Sequence, residues 1–415
     1  LCRKDETGGV IPLKKKKRKK TLRHIKDWSA FLLLGVLIVI IIIGIIAIIH
    51  ILSTPIDKEK NNPQKPTTSA QAELRPASAL VSPKYEAVLK MYLPPVLYPE
   101  RNGDILTKLD GIASTHAVLI DLDNNKVLAD KNSEQIIYPA SMTKLMTLIV
   151  AIERTENLND TFLMTDEILA PLYAQNASMA GFQTGELCSI LDLLYGAALP
   201  SGGDATAALA QYVAGSEEAF VEMMNEKVAE LELKNTHFTN PTGLHDPDHY
   251  STVTDIALIL EYCMQNDLCK EIISTFTYTT AQTPQSPEGI QMYSTMLSRM
   301  YGTEVEGITI YGGKTGFTDE AGNCLASFAQ TPDGHTYLAV TAGGLTKWKP
   351  VFDAFKLYGT ITGTYPMDEE DTKTEDPNAL SPGQVQQAPQ PTDTTTETET
   401  ETETETGTEE TRDAA

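Results

Sequence analysis

The chain has 415 residues, with 56 acidic against 33 basic side chains and a formal net charge of −23. A balance that acidic gives no support to nucleic-acid binding. Five cysteines occur, none in the Cys-x-x-Cys spacing of a metal knuckle.

Residues 1–27 carry the basic run Lys14-Lys15-Lys16-Lys17-Arg18-Lys19-Lys20, and Ala30 to Ile49 follows without a charge. Roughly twenty apolar residues at 1.5 Å rise span a hydrocarbon core of about 30 Å. Residues 28–52 are therefore expected to be a transmembrane anchor in the lipid bilayer. Basic residues before it and none directly after predict a cytoplasmic N-terminus, with everything after His50 outside. Ile51-Leu52-Ser53-Thr54-Pro55 is a poor signal-peptidase site, which favours an uncleaved anchor. Residues 53–83 are rich in Pro, Ser, Thr, Lys and Gln and read as an extended stalk. Residues 84–362 are long enough for one large core with a smaller helical lobe. Residues 363–415 form an acidic tail ending in a Thr-Glu repeat, with too little apolar surface to fold.

Within the globular region, His116–Leu122 and Lys126–Ala129 alternate around Asp123-Asn124-Asn125 and predict a β-hairpin. Apolar residues at helical spacing predict helices over Ser141–Ile152, Leu187–Leu199, Ala205–Ala214, Glu217–Leu231 and Thr254–Gln265. Gly307–Gly313, Asn323–Ala329 and Thr336–Ala342 then read as three strands, and Lys347–Tyr358 as a closing amphipathic helix. That order implies an α/β fold, an antiparallel sheet covered by helices. Cys263 and Cys269 fall six apart on one predicted helix and point to different faces, so buried free thiols are expected there.

Three short motifs carry chemistry. In Ser141-Met142-Thr143-Lys144, a helical turn brings the Lys144 amine to the Ser141 hydroxyl. A desolvated lysine with a lowered pKa can take the serine proton, and the helix N-terminus favours a developing oxyanion. Alone the pattern is weak, since it should arise by chance about once or twice in such a chain. In Ser201-Gly202-Gly203-Asp204, a second hydroxyl could relay a proton, although a plain helix cap accounts for the same residues. Lys314-Thr315-Gly316 stands at the end of the strand Ile308–Gly313, where an edge can bind an extended peptide and offer a charge and a hydroxyl to its carboxylate. A phosphate-binding loop would need glycine where Ile308 stands.

The order of the three motifs is that of the penicillin-recognising enzymes. From Ala117 to about Tyr358 the chain resembles the low-molecular-weight D-alanyl-D-alanine carboxypeptidases. Its most specific stretches are Tyr138 to Lys144, Asn240-Pro241-Thr242-Gly243-Leu244 and Gly313 to Gly322. The resemblance implies a β-lactamase/transpeptidase-like fold and no cofactor or metal. It implies Ser141 as acylated nucleophile, Lys144 as base and Ser201 as relay. It also implies Lys314, Thr315 and Gly316 at the substrate carboxylate, and Ser141 and Phe317 backbone N–H groups as oxyanion hole. The expected partners are peptidoglycan pentapeptides and acylating β-lactams.

Two departures stand out. Gly203 occupies the position where the family's second motif carries an asparagine that contacts substrate, and the acidic tail follows directly where many relatives have a β-domain. A class A-like β-lactamase is the enzymatic alternative, but no Glu-x-x-Leu-Asn loop lies between the second and third motifs. A wall-binding scaffold impaired at Gly203 is the non-enzymatic one. His245-Asp246-Pro247-Asp248-His249 looks like a metal cluster, yet Pro247 opposes the helix that would align its histidines, and an ordinary polar loop is expected.

Overall fold

The computed structural model describes residues 94–300 and 305–364, and apart from these a short antiparallel pair, β1 (Arg3–Lys4) with β2 (Val10–Ile11). The expected anchor (28–52) and stalk (53–83) and the tail beyond 364 lie outside the described residues. No helix among the described residues is long and apolar enough to cross a membrane.

A five-stranded antiparallel sheet organises the fold. Its strands are β3 (His116–Asp121), β4 (Lys126–Lys131), β9 (Thr309–Thr318), β10 (Gly322–Gln330) and β11 (Thr336–Gly344), in the order β4-β3-β11-β10-β9. The predicted hairpin forms because Asp121 accepts from the Asn124 backbone and side chain, while Asn125 takes the left-handed φ of 51°. Side chains alternate between two cores, as the pleat dictates. Val118, Ile120, Leu338 and Val340 face a large core shared with the helical lobe. Ala117, Leu119, Tyr337 and Ala339 face a smaller core closed by the last helix.

The helices among the described residues are α1 (Lys144–Arg154), α2 (Asp166–Ala174), α3 (Ile190–Ala198), α4 (Gly203–Ala214), α5 (Glu217–Glu230), α6 (Val253–Gln265), α7 (Asp267–Ser274), the short α8 (Leu297–Met300) and α9 (Lys349–Thr362). Small two-stranded pairs, β5 (Thr161–Leu163) with β6 (Leu187–Ser189) and β7 (Thr277–Thr279) with β8 (Gln291–Tyr293), trim the lobe. Residues Lys144 to Ile152 of α1 are all buried, so this helix is the axis of the lobe.

Three expectations need correction. The predicted helix at Leu187 begins only at Ile190, because Leu187–Ser189 pairs with β5 and Ser189 then caps α3 by accepting from Asp192 N. The third motif does not end a strand: β9 runs through Lys314-Thr315-Gly316 to Thr318. Cys263 and Cys269 are not free thiols but form a disulfide, with Cα atoms 5.5 Å apart. The single helix expected there breaks at Asn266, whose extended backbone ends α6 and whose side chain caps α7 through Leu268 N and Cys269 N. The break turns two cysteines on different faces of one helix into neighbours on two helices.

The two edges of the sheet differ. Along β4, Glu100 and Leu106 exchange backbone hydrogen bonds with Asn125, Val127, Leu128 and Asp130. The opposite edge is β9, whose only strand partner among the described residues is β10. The third motif therefore lies on a sheet edge, as a peptide-binding strand requires.

Candidate active site

Ser141 lies in a 3-10 turn, Ala140–Thr143, that leads into α1, rather than inside an α-helix as the spacing predicts. The three-residue separation still works. Lys144 Nζ donates to Ser141 Oγ at 2.9 Å and to the Thr242 carbonyl at 2.5 Å. Lys144 is 2% exposed, and burial lowers its amine from 10.5 to about 7, with the Asp204 charge opposing the shift. The buried amine is thus basic enough to accept a proton and uncharged often enough to do so near neutrality.

The turn is held in place from two sides. Gly243 sits at φ +78°, and a Cβ there would lie 2.0 Å from the Ala140 carbonyl oxygen. A Cβ on Gly316 would stand 2.9 Å from Pro139 O and 3.1 Å from Ser141 N. Only backbone fits between β9 and the serine, so the edge strand beside Phe317 abuts the Ser141 amide where an oxyanion hole would form. Phe317 itself is 48% exposed.

Ser201 ends the turn before α4 at a left-handed φ of 64°, and Ala140 has φ 46°. Two non-glycine residues in that region, each beside a motif hydroxyl, are backbone strain of the kind that accumulates at functional sites. Ser201 is buried, and its Oγ accepts from Lys314 Nζ at 2.8 Å. Lys314 is fully enclosed and also donates to the Thr315 carbonyl at 3.0 Å. Burial drives its amine well below the usual lysine range, and the charges of Lys144 and Arg299 push it further down. The Thr315 hydroxyl is paired with that of Thr295 at 2.8 Å.

Gly203 opens α4. Its N–H donates to the Ser178 carbonyl at 2.6 Å, and a Cβ on it would meet Ser178 O at 3.3 Å and Ala177 Cβ at 3.4 Å. The next residue, Asp204, is completely buried and accepts from the backbone of Ala180, Gly181 and Phe182 at 2.8 to 3.2 Å. It pins the 177–182 loop over the start of α4.

Thr242, Asp204, Thr295 and Arg299 are given no role by the motifs, and His249 is expected only as part of a polar loop that resembles a metal cluster. Signals exist for two of them: Asp204 closes the Ser201-Gly202-Gly203-Asp204 motif, and Thr242 lies inside a stretch that carries the resemblance. Thr295 and Arg299 sit far from any motif in sequence. The suspected cluster at residues 245–249 is a turn whose histidines have separate partners. His245 packs edge-on against Tyr138 and lies 4.0 Å from Glu320, whereas His249 is buried against Thr143 and Thr239.

Comparison with known proteins agrees with this geometry. Residues 105–344 match the family described as D-alanyl-D-alanine carboxypeptidase. The chain belongs to that family. Family members similar to it include D-alanyl-D-alanine carboxypeptidase DacF of Bacillus subtilis, 35% identical over 258 residues, which are 60% of this chain and 62% of DacF. The chain thus spans less than two thirds of that relative's length. Among solved structures, the Streptomyces K15 DD-transpeptidase is similar at 26% identity and a TM-score of 0.56, over 61% of this chain and 98% of that one. Penicillin binding protein 5 from Haemophilus influenzae is similar at 28% identity and a TM-score of 0.55, over 61% and 71% of the two chains. The fold is that α/β family fold, an antiparallel sheet flanked by helices.

Proposed function

We propose that this chain is a serine hydrolase that removes the terminal D-alanine from peptidoglycan stem pentapeptides. The observation that carries the reading is the pair of buried lysine–serine contacts, Lys144 to Ser141 and Lys314 to Ser201. Ser141 Oγ attacks the carbonyl between the two D-alanines while the neutral Lys144 amine takes its proton. A bond forms from Ser141 Oγ to the carbonyl carbon, and the oxyanion is met by the Ser141 and Phe317 N–H groups. The C–N bond then breaks, and the leaving D-alanine amine receives a proton through Ser201. Water attacks the acyl ester and restores Ser141. Lys314 and Thr315 meet the substrate carboxylate from β9, with Gly316 allowing the close approach.

β-Lactams would acylate the same serine, in keeping with the name of the Haemophilus influenzae neighbour. The uncharged stretch Ala30–Ile49 behind a basic run supports a single membrane span, with the N-terminus cytoplasmic and the catalytic domain outside, where its substrate is.

The test is incubation of the full chain with purified pentapeptide muropeptides, read by mass spectrometry. Loss of one D-alanine per stem peptide is expected. Binding without release would favour the scaffold reading, and faster hydrolysis of nitrocefin than of peptide would favour a β-lactamase.

A further inference from the structure

We infer that His249 is a positioning residue, a brace that fixes the Ser141–Lys144 turn against the Thr239–Leu244 loop. The inference rests on Ser141 and Lys144 being the acylating pair. His249 lies in the loop after the Asn240–Leu244 stretch and is 2% exposed. Both ring nitrogens are engaged. Nδ1 accepts from the Thr239 backbone N–H at 3.1 Å, which leaves the ring proton on Nε2. Nε2 is 2.8 Å from Thr143 Oγ1, so its N–H donates to that hydroxyl. Thr143 is the residue between Met142 and Lys144 in the first motif and is itself completely buried.

The two elements joined by the ring are the two that define Lys144. One carries Ser141 and Lys144. The other carries Thr242, whose carbonyl accepts from Lys144 Nζ. That loop is rigid by itself, because Asn240 Oδ1 accepts from Thr242 N, Thr242 Oγ1 and Gly243 N, and Asn240 Nδ2 donates to Leu244 O. It begins at Thr239, the residue whose N–H the imidazole accepts. A single side chain thus ties the base to the serine turn on one side and to the carbonyl that aims the base on the other. Burial pushes the ring down to about 3, so it remains a neutral, single-tautomer spacer through the working pH range.

The experiment compares Thr143→Val, Thr143→Ser and the unaltered chain by the rate of acylation with a labelled penicillin, and records the ring nitrogens of His249 by 15N NMR. Thr143→Val keeps the volume and removes the acceptor, and is expected to slow acylation by about tenfold or more through misalignment of the pair. Thr143→Ser restores the acceptor and is expected to stay within about twofold of the unaltered rate. A merely structural threonine would not be rescued in that pattern at equal folded fraction. The 15N spectrum should show Nε2 protonated and Nδ1 bare at neutral pH. A Thr143→Val rate equal to the unaltered one, or a proton on Nδ1, overturns the brace. Failure of the unaltered chain to acylate would overturn the functional reading instead, and the tautomer would still decide the brace.

Discussion

Lys314 Nζ stands 2.8 Å from Ser201 Oγ, so the third motif is bonded directly to the second, as Lys144 is bonded to Ser141 within the first. Two buried amines that feel each other's charge cannot both stay protonated cheaply, and the Lys144 charge adds to the burial that lowers Lys314. That repulsion falls on Lys314, whereas the Lys144 amine is lowered by its own burial against the opposing charge of Asp204.

Acylation should depend on pH through Lys144. In the mechanism proposed, the neutral amine is the active form, and burial lowers Lys144 to about 7. The acylation rate with a labelled penicillin is expected to rise with pH through that point and to level above it. Lys144→Arg cannot deprotonate and should lose about 10²- to 10⁴-fold in rate at every pH. A flat pH–rate profile in the unaltered chain would contradict the assignment.

The same group links pH to stability. Above pH 7 and up to about 10.5 the unfolded chain binds a proton at Lys144 that the fold does not. This contribution to stability therefore grows as pH rises across that window and is lost in full below it. Comparison of Lys144→Met with the unaltered chain by urea denaturation at pH 7 and 9.5 should show the difference shifting in favour of the unaltered chain at the higher pH.

The Cys263–Cys269 bridge closes a short loop across the α6–α7 break. Loop-closure entropy gives about 2 kcal/mol for a ring of that size. α7 also packs on the edge strand, since a Cβ on Gly312 would lie 2.5 Å from Ile273 O. A Cys263→Ala, Cys269→Ala double variant is expected to unfold at lower urea by that amount. No change between oxidised and reduced unaltered protein would argue against the bridge.

Gly243 and Gly203 predict different costs. Gly243→Ala meets Ala140 O at an impossible distance and a left-handed φ. It should destabilise by about 3 kcal/mol and slow acylation about tenfold by displacing the serine turn. Gly203→Asn meets Ser178 O at 3.3 Å at the first residue of α4 and without a left-handed φ, so the 177–178 loop needs to yield only slightly. A loss of about 1–2 kcal/mol by urea denaturation is expected, and an unchanged midpoint would show that the loop gives freely.

Much of the site was legible in the sequence because its parts are short and local. Ser141 and Lys144 share one turn, and the strands carrying residues 309–344 keep a period of two. What escaped depends on contacts between distant segments. The helix end at Gln265 is legible, but the disulfide depends on a second helix, capped by Asn266, that returns Cys269 to Cys263. His249 looked like half of a metal pair because only the fold brings Thr143 and Thr239 to its two nitrogens. The strand was read as ending before Lys314 because three glycines among residues 312–316 weaken any strand signal, although the register with β10 runs unbroken from Gly313 to Thr318.

Ser141 as the proposed nucleophile has a direct chemical test. Purified protein is treated with a labelled penicillin and analysed by intact mass and peptide mapping. One adduct per chain, located on the peptide containing Ser141 and absent from Ser141→Ala, is the expected result. An adduct that persists in Ser141→Ala, or maps to Ser201, would show that another residue is acylated.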